Sequence, residues 1–191
     1  MSRFALVVDL NRCIGCHSCE IACKNEHEVE LGIHWNQVLQ RGPVGEFPHL
    51  QQYFLPTMCQ QCVNAPCQEV CPTGATYRDE EGKVLIDAET CIGCLSCMEA
   101  CPYDVRALNP VTNTVEKCNL CHELTAEGET PRCVMACCAS ARFYGDLDDP
   151  ESDAAKALAA AGEENVHRLA DSGNEPSTAY ILAEKWAAWA E

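Results

Sequence analysis

The sequence predicts an α+β fold of short strands, hairpins and helices strung between cysteine loops, and three observations predict it. Residues 91–102, CIGCLSCMEACP, carry three cysteines at two-residue gaps, a fourth after three more residues, and then a proline. Residues 13–23, CIGCHSCEIAC, repeat that run almost letter for letter, with Lys24 in the proline's place. Between such loops lie short β-prone segments broken by polar turns.

Residues 4–10, FALVVDL, are a short apolar, β-branched run that reads as a strand delivering the chain to Cys13, Cys16, Cys19 and Cys23. Residues 26–58 hold no cysteine. There IHWNQVLQ and LQQYFL alternate enough to be strands, and RGPVGEFPH is the turn-rich link between them. This segment is expected to be a hairpin-like insertion that covers a metal centre or meets another subunit.

The second group is Cys59, Cys62, Cys67 and Cys71, followed by Pro72, with a wider middle gap holding Asn64, Ala65 and Pro66. TYRDEEGKVLI, residues 76–86, predicts a hairpin leading directly to the third group, Cys91, Cys94, Cys97 and Cys101. Cys101 is expected to open a short helix with Pro102 in its first turn, where a missing N–H is no loss. RALNPVTNTVEK predicts another hairpin, turning at residues 109–113, before Cys118, Cys121, Cys133 and Cys137. The long gap in CHELTAEGETPRC is polar and is expected to loop out. Cys138 stands where a proline is found in groups two and three. Cys137 keeps the three-residue gap and is the expected ligand, which leaves Cys138 as an unpaired, small buried apolar side chain.

Past residue 143 the cysteines stop. Residues 150–161 have an acidic, serine-bearing start and a glycine stop, the marks of a short helix. EPSTAYILAEKWAAWAE, residues 175–191, is expected to be a second one, with Tyr180, Ile181, Trp186 and Trp189 partly on one face. Residues 151–191 are thus expected to form an acidic helical extension.

Length and composition bound the function. At 191 residues the chain is one domain or two small ones, and its 17 cysteines leave a disulfide scaffold or a metal protein. MSRFALVVDL has no charged start followed by a long apolar stretch, so no secretory signal is read in it. No apolar run approaches the roughly 18 residues of a membrane span. The expectation is therefore a soluble protein assembled where thiols stay reduced. A formal charge of −16 argues against nucleic acid as a partner. Residues 146–191 alone hold 11 acidic and 3 basic residues, which is either a solvated surface or a docking face for a basic partner.

Sixteen cysteines in four fours must be assigned to metal. Zinc typically takes two CxxC knuckles a dozen or more residues apart. Here every group except the drawn-out fourth crowds three thiolates into a short loop with another close behind, and that suits a cubane. In runs of this kind the fourth cysteine ligates the other cluster of a pair, so each half-site needs a partner. No position is replaced by Trp, Asp or Ser, and all four clusters are expected to be [4Fe–4S]. Sixteen thiolates and four oxidised cores would take the formal charge to about −24.

The four groups, the wider second, the drawn-out fourth and the trailing RFYGDLDDP resemble the four-cluster ferredoxin subunit of the dimethyl-sulfoxide-reductase family of molybdopterin oxidoreductases. The likeness covers roughly residues 4–150. It implies two bacterial-ferredoxin-like halves with short hairpins and helices around four iron–sulfur clusters. The outer half would take residues 1–25 and 104–150, the inner half 59–103, with the insertion at 26–58. It further implies one cluster on Cys13, Cys16, Cys19 and Cys137, and a second on Cys118, Cys121, Cys133 and Cys23. A third would lie on Cys59, Cys62, Cys67 and Cys101, and the fourth on Cys91, Cys94, Cys97 and Cys71. The missing proline at Cys138 and the acidic extension depart from the usual pattern.

The implied function is single-electron relay between a large molybdopterin catalytic subunit and a quinol-linked membrane anchor or soluble donor. Service to a hydrogenase or formate dehydrogenase complex is the alternative, and a zinc-stabilised scaffold a third. The resemblance places such a subunit in the cytoplasm, or exported folded with a signal-bearing partner, and peripheral to the membrane where an anchor exists. No nucleophile–base pair or phosphate loop is found, so the chain is expected to catalyse nothing alone. Lys24, Lys117 and Arg106 lie beside cysteines and either raise nearby potentials or sit on the surface. His17 and His122 read as neighbours of the motifs, not ligands. His34, Trp35 and Tyr53 read as aromatic cover or as part of an electron path.

Overall fold

The computed structural model describes residues 2–184 and 187–189, and its architecture is α+β. Strand β1 (Phe4–Asp9) is the centre of the fold. Its run Ala5, Leu6, Val7 and Val8 is buried without a break because both faces of the strand are covered. Leu6 and Val8 face a core with Leu10, Val38, Leu55, Met58, Leu120 and Tyr180, whereas Val7 faces the opposite way.

After the first cysteine loop comes helix α1 (Ser18–Glu26), then strands β2 (Asn36–Glu46) and β3 (His49–Met58) as an antiparallel pair. The expected link at 41–49 is mostly ladder: pairing resumes past a bulge between Arg41 and Val44, and the turn is confined to Phe47 and Pro48. Helix α2 (Pro66–Glu69), hairpin β4 (Thr76–Arg78) with β5 (Val84–Ile86), helix α3 (Ser96–Glu99) and hairpin β6 (Ala107–Leu108) with β7 (Val115–Glu116) follow. Next come α4 (His122–Ala126), α5 (Arg132–Met135), β8 (Arg142–Asp146), α6 (Asp153–Ala161), β9 (Val166–His167) and β10 (Ala179–Ile181).

Three expectations are corrected. Cys101 does not open a helix; it follows α3, and Pro102 stops the chain from continuing helically. Cys71 and Cys137 likewise follow α2 and α5. Only α1 runs through its fourth cysteine, with Lys24 in place of a proline. The gap between Cys121 and Cys133 is not all loop, since α4 fills part of it. Last, the described part of residues 175–191 is not a helix. Ala179–Ile181 is a strand, so Tyr180 and Ile181 point to opposite faces, and Trp186 lies outside the described residues.

That strand sits inside the principal sheet, whose order is β8-β1-β10-β9. It runs parallel to β1, with Val7 opposite Ala179 and Asp9 opposite Ile181, while β8 flanks β1 antiparallel. Helix α6, as expected over most of 150–161, covers the Val7 face through Ala154, Ala157 and Leu158. Ser152 caps it, accepting from the Ala155 N–H at 3.1 Å. The helix start reaches the sheet closely because Gly145 has no side chain; a Cβ there would lie 2.7 Å from that of Ser152.

Candidate metal centres

All four cysteine loops share one backbone device. The residue before the second cysteine is left-handed in each: Gly15 (φ 65°), Gln61 (φ 49°), Gly93 (φ 63°) and Leu120 (φ 60°). Such a residue curls successive N–H groups toward one side and makes a concavity for anions. The Gly15 N–H favours the ionised form of Cys13, and that of Leu120 does the same for Cys118. Gln61 and Leu120 adopt this conformation at a cost of roughly 1–2 kcal/mol, and both are held in the interior at 3% and 1% exposure. In groups one and three a second left-handed residue, His17 or Leu95, starts the helix that carries the third cysteine.

The thiols gather in four sets drawn crosswise from the loops. One cavity is lined by Cys13, Cys16, Cys19 and Cys137 together with Arg142, and another by Cys71, Cys91, Cys94 and Cys97. Backbone N–H groups aim at the last member of each, Ala141 to Cys137 at 3.2 Å and Thr76 to Cys71 at 3.4 Å. Cys23 sits where Cys118, Cys133 and Cys121 raise its pKa on top of burial. Cys62, pushed up to about 12 chiefly by burial, has Cys59, Cys67 and Cys101 around it. Cys138 is not buried as expected but exposed, 3.6 Å from the Cys16 sulfur and outside the cavity that Cys137 lines.

A family model described as a 4Fe–4S dicluster domain matches residues 50–147. The chain is 42% identical to a Halobacterium salinarum protein named provisionally as an iron–sulfur subunit of dimethyl sulfoxide reductase, over 96% of this chain and 80% of that one. It is 41% identical to a polysulfide reductase chain of Wolinella succinogenes over 82% and 83%, and 44% identical to the thiosulfate reductase electron transfer subunit PhsB of Salmonella typhi over 78% and 79%. This chain therefore belongs to the ferredoxin-type iron–sulfur subunits of the dimethyl-sulfoxide-reductase family. Its cofactors are [4Fe–4S] clusters.

The thiol sets of this iron–sulfur subunit fit such clusters. Every described cysteine is free, none in a disulfide. Burial and neighbouring thiols oppose ionisation in the interior sets, raising Cys118 to about 12 and Cys121 to about 11. Four thiolates can share such a site only around a positive core, which inverts that electrostatic balance.

Several neighbours of the thiols were not foreseen. The ring of His27 stacks on Trp35 at 4.7 Å between centroids and places Nε2 3.2 Å from the Cys121 sulfur. Asn174, from the C-terminal extension, donates from Nδ2 to Cys62 at 3.1 Å. Arg142, at the start of β8, is 4% exposed beside Cys133, Cys19 and Cys118. Of the cations singled out from sequence, Arg106 and Lys117 are buried at 4% and 3%, but Lys24 spends its ammonium on the carbonyls of Glu30 and Ile33. His17 pairs with Glu20 and His122 faces Asp79. His34 is exposed, whereas Trp35 and Tyr53 pack on the main core as cover. Among the described residues no helix is long and apolar enough to cross a membrane.

Proposed function

We propose that this iron–sulfur subunit relays single electrons through four [4Fe–4S] clusters between a molybdopterin-containing catalytic subunit and a quinol-linked membrane anchor or soluble redox partner. When bound, each cluster accepts and releases one electron at a potential set by charge, hydrogen bonds and solvent access. The chain's own part is to hold sixteen thiolates, exclude water and fix the order of the centres. We assign them as the sets Cys13, Cys16, Cys19 and Cys137; Cys118, Cys121, Cys133 and Cys23; Cys59, Cys62, Cys67 and Cys101; and Cys91, Cys94, Cys97 and Cys71.

The observation that carries the reading is their arrangement. Cys19 of the first set acts electrostatically on Cys133 of the second, and Cys59 of the third on Cys118 of the second. The second set is wholly buried, while the first and last reach the surface at Cys16 and Cys94. A line of centres with exposed ends and a buried second set suits entry at one end and exit at the other. Exposed Ile14 and Ile92 stand beside those ends and give a partner apolar surface to cover.

Iron and acid-labile sulfide counts on anaerobically purified complex test the reading. About sixteen irons per chain, with a pterin-containing large chain in the same complex, is the expected result. A few zincs, or a nickel–iron partner instead, would overturn the cluster count or the partner respectively.

A further inference from the structure

Four cationic side chains are buried among the described residues: Lys83, Arg106, Lys117 and Arg142. Lys83 has its carboxylate, Glu81, at 2.6 Å. The other three are in no ion pair with a carboxylate among the described residues. A buried charge without a counter-charge is among the costliest things a protein interior can hold. Something else must compensate these three.

Their positions identify it. Arg142 lines the cavity of Cys13, Cys16, Cys19 and Cys137 and also acts on Cys133 and Cys118 of the adjoining set. Lys117 acts on Cys118 of that second set and on Cys67 of the third. Arg106 acts on Cys67 and Cys59 of the third and on Cys97 of the fourth.

Geometry leaves donors free for this purpose on both arginines, whereas Lys117 also donates to the carbonyls of Val84 and Cys118. Arg142 donates from Nη2 to Asn36 Oδ1 at 3.0 Å, while its Nε and Nη1 have no hydrogen-bond partner. Arg106 donates from Nη1 to Thr76 Oγ1 at 3.3 Å, and its Nη2 has none. Each arginine stands five residues after the last cysteine of its group, Cys101 and Cys137, so the placement repeats within the chain.

We propose that Arg142, Lys117 and Arg106 are charge-compensating positioning residues, one in each gap between successive thiolate sets, which hold the potentials of the flanking clusters up. A cation between two anionic centres favours the reduced, more negative state of both. The inference rests on the four-cluster reading above.

The test is an EPR-monitored redox titration of the anaerobic complex carrying Arg142→Gln, Arg142→Lys, Arg106→Gln or Arg106→Lys. Each glutamine variant should lower at least one midpoint by a tenfold change in the reduction equilibrium, 59 mV for one electron, and each lysine variant should restore most of it. Iron lost from a glutamine variant but kept in its lysine counterpart also supports a charge role. Unmoved midpoints in iron-replete glutamine variants would overturn the inference. So would lysine and glutamine behaving alike, in potential or in iron content, because that is the signature of packing. Absence of iron from the unmutated complex would instead sink the underlying cluster reading.

Discussion

Replacing Asn174 by alanine asks whether the C-terminal segment tunes a metal centre. Its side-chain orientation is fixed, because Oδ1 accepts from the Ser172 N–H at 3.1 Å and Nδ2 therefore faces Cys62 at 3.1 Å and the Tyr103 hydroxyl at 2.7 Å. Alanine removes the donor yet leaves the backbone bond from the Asn64 N–H to the Asn174 carbonyl. A hydrogen bond to a charged acceptor is worth about 1.5–3 kcal/mol. Cys62 carries charge in both oxidation states, so only the increment on reduction counts, and a third to a half gives about 0.5–1.5 kcal/mol. At 59 mV per factor of ten this is about 20–65 mV downward for one electron. The assay is a redox titration of anaerobic complex with iron counted in parallel. One midpoint should fall within that window while iron stays at the unmutated level. An upward shift, or no shift at full iron, would refute the reasoning.

Cys137→Ala should cost up to about four irons per chain and Cys138→Ala none, read by iron analysis; the reverse would exchange their roles. Tyr180→Ala should lower the anaerobic Tm by roughly 6–20 °C, from about 3–5 kcal/mol for a fully buried ring at about 2–4 °C per kcal/mol. Tyr180→Phe, losing only the Gln60 bond at 3.2 Å, should cost about 1 kcal/mol; equal effects would contradict the strand packing. Gly93→Ala should destabilise group three and reduce bound iron, since φ is +63° and the added Cβ would land on the Asn113 carbonyl oxygen. Unchanged iron and Tm there would show the loop to be free to move.

How much of this was legible in the sequence depends on the range of the forces involved. Residues 4–10 read as a strand because an unbroken apolar, β-branched run is a local signal, and helix α6 read correctly from Ser152 and Gly162, which are local too. The hairpin at Thr76–Arg78 and Val84–Ile86 was legible from its polar turn. Residues 179–182, AYIL, were not. A short apolar run has the same pattern in a buried strand as in a buried helix, and only pairing with β1 about 170 residues away decides it. The cysteine spacing made the ligand candidates plain but said nothing of His27, Asn174 or Arg142. These reach the sulfurs through tertiary folding, and each is an ordinary residue where it stands in the chain.

The aliphatic core is shared unequally, and that bears on why the C-terminal segment crosses the molecule. Around β1 and the β2–β3 hairpin the core holds Leu6, Leu55, Met58, Leu120, Tyr180 and Leu182, packed with Cys19, Cys59, Cys118 and Cys133. Around groups two and three the buried aliphatics are Ala65, Val84 and Val115, packed with Cys67 and Cys97, and the helices there are four residues long. Helices so short have no stability of their own. Order in that part must come from what the thiols hold and from outside support. The segment after β9 supplies the support: the Val63 and Asn64 N–H groups donate to the carbonyls of Glu175 and Asn174, and the Tyr103 hydroxyl donates to that of Ala170. The acidic extension is thus a strap across the least well-packed cysteine loops, anchored at its far end by a strand in the principal sheet.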